Sequence, residues 1–348
     1  MNFMKSLPYY DDLTARQKIK LRELIKTLPP FAKEFFRAID STTQVRTRIA
    51  YAYDLRVFFH FLIDENPAYR NYSVLDFKVS DLDKIESVDL EEYMEYLKVY
   101  ISEEQHKHMQ NTEQGVFRKM SALRSFYGYF YKRQLIEKNP TLLVDMPKIR
   151  EKEIIRLEAD EVASLLEKTK ERDLAIITLL LGTGIRVSEL VGLNIDDVDF
   201  RNNGLHLIRK GRKEMTVYFG NEVADALEQY IEGSRKLIIP KEGHEDALFY
   251  SMQRRRIGVQ AVQNLVKKYA KEVTPLKKIT PHKLRSTYGT ALYQETDDIY
   301  LVAEVLGHSD VNTTRKHYAA MSDTRRRQAA GKVVLRESVS HDSEDSNS

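Results

Sequence analysis

Three short stretches of this sequence hold residues that, brought together, could grip an anion and move a proton. In Thr183-Gly184-Ile185-Arg186-Val187-Ser188-Glu189-Leu190, an arginine follows a glycine where a helical pattern begins. A guanidinium there lies beside backbone N–H groups that have no partner within the helix, a place suited to an anion. The plainer alternative is a helix-start arginine that only pairs with Glu189. In Pro281-His282-Lys283-Leu284-Arg285, the imidazole and the guanidinium stand at i and i+3 and share a helix face. Such a pair can hold a phosphate and handle its proton, although a solvated basic helix has the same pattern. The third stretch runs Leu306-Gly307-His308 and then Asn312-Thr313-Thr314-Arg315-Lys316-His317-Tyr318. A tyrosine has an ordinary pKa of about 10 and needs nearby cations to attack at neutral pH. With 20 Tyr in the chain, a half-buried core residue is the plain reading of any one of them.

The chain that must position these groups has 348 residues, a length suited to two domains. It is 42% hydrophobic and 31% charged, with a mean hydropathy of −0.49. It can therefore build a core, and no apolar run is long enough for a membrane span. Cys is absent, which excludes disulfides, thiolate metal sites and cysteine nucleophiles. The N-terminus, MNFMKSLPYYDDLT, lacks the apolar core of a signal peptide, so a cytoplasmic location is expected. Net charge is only +3, too small to mark a nucleic-acid binder by itself.

The pattern predicts helices over 14–27 and 31–39, then a long one capped by Ser41 with Gln44 as a capping box. Further helices are predicted for LEEYMEYLKVYISEE, beginning near Asp89, and for 112–132. Beyond Pro140 the run to Lys152 reads as a linker. Helices are then expected over 160–169 and 172–181, and a small antiparallel meander over 197–219, turning at Asn203-Gly204 and at 210–213. Helices return over 222–234, 259–272, 282–294 and 299–306. The fold class expected is mainly α with a small antiparallel β-sheet. The divisions expected are a helical N-terminal extension (1–40), a helical domain (41–140), a linker (141–156), a second domain (157–336) and a disordered acidic tail (337–348).

Taken in order, the runs GTGIRVSELVGL, HKLRSTYGTAL and LGHSDVNTTRKHY resemble the tyrosine recombinases, the phage-integrase and Xer family. The resemblance spans about 157–327 and implies a catalytic domain there, with the preceding helices as a core-binding domain. It implies that Arg186 and Arg285 clamp the non-bridging oxygens of a scissile phosphate, stabilising charge in the transition state without a metal or other cofactor. It casts His282 as the base, His308 as a donor to the phosphate and Tyr318 as the nucleophile that forms a 3′-phosphotyrosyl link. The family turn G-K-G-x-K-E is similar to IRKGRKEM here, which makes Lys210 the acid for the leaving 5′-oxygen and Lys213 a phosphate contact or the alternative acid.

Further expectations follow from the resemblance. The partner is double-stranded DNA carrying a specific inverted-repeat site, bound by a homo-tetramer on two duplexes, with a directionality factor or DNA translocase as an accessory. The helix at 323–335 would be exchanged between subunits or packed on its own domain. The forty residues before Ser41 are too few for an additional arm-binding domain. Arg118, Lys119 and Arg124 in the first domain, and Arg254, Arg255 and Lys267 in the second, are candidate DNA contacts. Tyr318 follows His308 by ten residues, the spacing of many phage and transposon integrases, where many Xer proteins have nine. The activity implied is site-specific recombination through a Holliday junction, for a mobile element or for chromosome dimer resolution. A type IB topoisomerase or a non-catalytic DNA-binding accessory protein would share much of this pattern.

Overall fold

The computed structural model describes residues 9–102, 107–149, 155–209, 213–307 and 311, with only the main chain of Ser102, Lys107 and Lys213. Structural statements below concern these residues. Lys210, His308, Tyr318 and the segments 323–335 and 337–348 lie outside them. The chain divides into two compact units, 1–152 and 153–348.

The first unit contains α1 (Tyr9–Ile25), α2 (Ala32–Ala38), α3 (Val45–Glu65), α4 (Ser87–Tyr96), a hairpin of β1 (Val99–Ser102) and β2 (Lys107–Gln110), and α5 (Glu113–Lys132). Its core is aromatic. Phe126 of α5 meets Phe31, Phe35, Phe59 and Phe130, mostly edge to face. Leu21, Leu24, Phe35 and Phe36 share this core with Leu55, Phe58 and Phe59. The expected N-terminal extension is thus part of the body of the first unit. Val144 is buried in the same core, so the front of the expected linker belongs here too.

Two local expectations are corrected. The capping box at Ser41 does not form: α3 begins at Val45 after Gln44, whose side chain makes no cap hydrogen bond. The helix predicted through VYISEE ends at Tyr96, and the chain turns into the β1–β2 hairpin with Tyr100 opposite Met109. The reason is an alternating β-branched and aromatic run, in which Tyr100 is buried while Val99 and Ile101 face outward.

The second unit contains α6 (Ala159–Glu167), α7 (Glu171–Thr183), α8 (Val187–Leu190), the meander β3 (Val198–Asp199), β4 (Gly204–Arg209) and β5 (Lys213–Tyr218), then α9 (Asn221–Tyr230), α10 (Val259–Val273), α11 (Pro281–Thr296) and α12 (Ile299–Leu306). The sheet is antiparallel in the order β3-β4-β5, with Arg209 opposite Lys213. The central α7 buries Ala175, Ile176, Ile177, Leu179 and Leu180, which is why its sequence is apolar on nearly every side. No described helix is long and apolar enough to cross a membrane.

Candidate active site

The site is built where three helix ends and one strand end meet. Helix α7 stops at Gly184, which takes the left-handed conformation (φ +62°) and returns its N–H to Leu180 O. Glycine is required there twice over. The conformation is costly for other residues, and a Cβ would lie 2.4 Å from Tyr288 Cδ1 and 2.9 Å from Leu306 Cδ2. Ile185 is buried, and Arg186 then opens α8 in extended conformation. Glu189 fixes it from both sides: Oε2 accepts from the Arg186 N–H at 2.8 Å, and Oε1 accepts from Nη1 at 2.8 Å. Nη2 of Arg186 donates to Gly307 O at 3.1 Å. The plain reading of Arg186 as a partner of Glu189 is thus correct as far as it goes, and the second guanidinium nitrogen carries the residue further.

Arg285 approaches the same place from α11. It is 4% exposed, and its Nη1 donates to Gly184 O at 2.5 Å while Nη2 donates to Leu306 O. His282, one turn earlier, is exposed. The two stand one turn apart on α11, with the arginine buried and the imidazole exposed.

A third arginine, not singled out by sequence, completes the group. Arg209 ends β4 with its side chain 8% exposed. Its Nη2 donates to Val305 O at 2.8 Å, and its Nε lies 3.9 Å from Glu189 Oε1. Burial lowers its pKa from the ordinary arginine value, Glu189 opposes that shift and Arg186 adds to it. The signal was present in LHLIR: along β4, Leu205, Leu207 and Arg209 all point inward, so alternation alone places the guanidinium inside. Arg209 also stands where the family turn G-K-G-x-K-E has its first glycine.

Arg186, Arg209 and Arg285 therefore converge on three successive carbonyls at the end of α12, those of Val305, Leu306 and the following Gly307. A helix C-terminus leaves such carbonyls without intrahelical partners and carries partial negative charge, which suits three cations. Gly307 is left-handed (φ +61°), and a Cβ there would fall 1.7 Å from Arg209 Nη1. His308 is the next residue in the chain. Among the described residues there is no group of three or more His, Asp or Glu able to hold a metal ion.

The candidate DNA contacts divide. Arg254 and Arg255 are exposed in a tight turn closed by Ser251 N–H to Arg255 O at 2.7 Å, and Lys267 is exposed on α10. Arg118 is half-exposed and bound to Asp54, its Nη2 at 2.7 Å from Oδ1. Lys119 and Arg124 are corrections. Lys119 is buried, with Nζ 3.4 Å from Asp54 Oδ1. Arg124 donates to Thr141 O at 3.1 Å and to Val144 O at 2.7 Å, which ties the chain after α5 to that helix. Both cations serve the first unit's own fold.

Comparison with known proteins agrees with this geometry. Residues 155–325 match the model of the phage integrase family. The chain is 38% identical over 339 residues to tyrosine recombinase XerC of Caldanaerobacter subterraneus subsp. tengcongensis, covering 92% of this chain and 91% of the relative. It is 33% identical over 282 residues to tyrosine recombinase XerD of Oceanobacillus iheyensis, covering 76% of this chain and 92% of the relative. Its fold is that of the XerH site-specific recombinase in a post-cleavage complex with a palindromic difH substrate, with a TM-score of 0.63 at 19% identity, covering 94% of this chain and 98% of that one.

Proposed function

Because this chain belongs to the phage integrase family and is an Xer-type tyrosine recombinase, an enzyme that cleaves and rejoins DNA, we propose that it exchanges strands at a specific inverted-repeat DNA site. The observation that carries the assignment of its residues is the convergence of Arg186 and Arg285 on the end of α12, immediately before His308. Two guanidiniums held by main-chain carbonyls are in place before substrate arrives, so little reorganisation remains for the reaction step.

Tyr318 Oη attacks the scissile phosphorus and its proton passes to His282 or to solvent through it. Arg186 and Arg285 take the two non-bridging oxygens as charge builds on them. The bond to the 5′-oxygen breaks, Lys210 supplies that oxygen with its proton, and a 3′-phosphotyrosyl link and a 5′-hydroxyl result. His308 donates to the phosphate. A 5′-hydroxyl from the partner duplex then reverses the chemistry, restoring a phosphodiester and the free tyrosine. The link conserves the phosphodiester's energy, and none of these roles calls for a metal or ATP. Arg209 positions the end of α12.

Two such exchanges in a homo-tetramer on two duplexes pass through a Holliday junction. The near full-length likeness to an XerC favours a chromosomal site and dimer resolution over a mobile-element end. Arg118, Lys213, Arg254, Arg255 and Lys267 contact phosphates, a translocase or directionality factor acts as accessory, and the protein works in the cytoplasm, where that DNA is. The test is covalent trapping. Labelled duplexes from the flanks of the gene and from the chromosomal terminus are incubated with wild type and Tyr318→Phe, with magnesium chelated, and denatured in SDS. A labelled band shifted by one protein mass, lost in the variant and indifferent to chelation, is the expected result. A band that persists in Tyr318→Phe overturns the choice of nucleophile.

A further inference from the structure

Away from the catalytic arginines, the first unit contains a cavity of about 570 Å³ between α1, α2 and the start of α3. Five cations line it, Lys18, Arg22, Lys33, Arg37 and Arg48, against one carboxylate, Asp40. One face of α1 supplies Lys18 and Arg22 at i and i+4, with Leu21 between them on the apolar floor beside Phe36. Lys18, Arg22, Lys33 and Arg37 stand at an exposed rim, and Arg48 forms the base with its side chain only 7% exposed.

Arg48 pairs with Asp40 through Nη1, yet its buried Nε has no hydrogen-bond partner among the described residues. Cations from three helices facing one space repel one another. An anion rich in oxygens, seated among the rim cations, offsets that repulsion. The rim cations are spread around the opening, and the space exceeds what a single carboxylate fills, so the match is to adjacent phosphate groups.

We propose that this cavity is a phosphate-binding site, taking either a pyrophosphate-bearing small molecule or neighbouring phosphates of a DNA backbone. The site is independent of the strand-exchange reading above, since none of its residues belongs to the catalytic set.

The test is calorimetric titration of the full chain with inorganic pyrophosphate. Wild type is expected to bind two equivalents, one at the catalytic arginines and one in this cavity. Arg22→Gln/Arg37→Gln, with both changes at the exposed rim, is expected to weaken the cavity equivalent at least tenfold at an unchanged melting temperature. Arg285→Gln removes only the other equivalent. Repeating the titration with saturating site duplex separates the sources. If DNA displaces the cavity equivalent, the ligand is the DNA backbone, and the slope of log K against log salt falls by about 0.9 per lost phosphate in the double variant. If the equivalent survives DNA, the ligand is a small phosphate compound. The proposal is overturned if wild type binds only the equivalent that Arg285→Gln removes, or if the double variant keeps both equivalents at wild-type affinity.

Discussion

Replacing Arg209 by Met separates positioning from stability at the active site. The guanidinium contributes one charge-assisted hydrogen bond, Nη2 to Val305 O at 2.8 Å, worth about 1.5–3 kcal/mol. Against that, its Nε and Nη1 are buried and have no hydrogen-bond partner among the described residues. Each such donor costs on the order of 1–3 kcal/mol, and a methionine of similar length has no donors to desolvate. Two such donors at least match that hydrogen bond, with the Glu189 carboxylate 3.9 Å away offsetting part of their cost, so thermal stability should not fall by more than about 1 kcal/mol. Catalysis should not be spared. Without Arg209 the end of α12 loses one of its three anchors, and a shift of about 1 Å in a reacting group costs on the order of 100-fold in rate. Single-turnover cleavage of a nicked site duplex, read as covalent complex on an SDS gel, is therefore expected to fall 10- to 100-fold. DNA affinity in a mobility shift should stay within about twofold. A variant that cleaves at the wild-type rate, or one whose melting temperature and rate collapse together, would refute the reasoning.

Gly307→Ala places a Cβ 1.7 Å from Arg209 Nη1, so it should reproduce the cleavage defect of Arg209→Met. In a double-mutant cycle the two should be strongly non-additive. Gly184→Ala forces a left-handed alanine against Tyr288 and Leu306, at about 1–2 kcal/mol for the backbone and about 1–3 for the overlap, measurable by urea denaturation. Asp54→Asn leaves buried Lys119 without its carboxylate, and the first unit should lose roughly 3–5 kcal/mol in the same assay. Lys210→Met should cleave slowly on normal DNA and regain its rate on a duplex whose leaving 5′-oxygen is replaced by sulfur, which departs unprotonated. If Lys213→Met shows that rescue instead, the acid is Lys213.

Much of this was legible from residue types and order. Helix α12 falls on 299–306 as its apolar run predicts, and Asp298 caps it by accepting from Tyr300 and Leu301 N–H. Arg186 and Arg285 were singled out from their runs, and the structure brings both to the end of α12. What stayed hidden was whatever tertiary packing decides. The run VYISEE has helical and extended readings of equal local merit, and burial of Tyr100 selects the strand. Lys119 and Arg124 look like any surface cation of a basic helix until Asp54 and the carbonyls of Thr141 and Val144 are brought to them. Arg209 was passed over because attention to the turn favoured its lysines, although strand alternation had already turned it inward. The ten-residue spacing from His308 to Tyr318 weighed against an Xer relationship, and the 38% identity to an XerC outweighs it.

Apart from the Glu189 carboxylate, the acceptors that hold the three arginines are main-chain oxygens, those of Gly184, Val305, Leu306 and Gly307. No codon specifies a carbonyl. Val305 and Leu306 can drift among residues of similar size without erasing the contacts, and genetic change reaches these acceptors only by bending the backbone. The two glycines are where that is easiest. Under mutational load, inheritance of this arrangement therefore rests on the arginines, on Glu189 and on two positions that have no side chain at all.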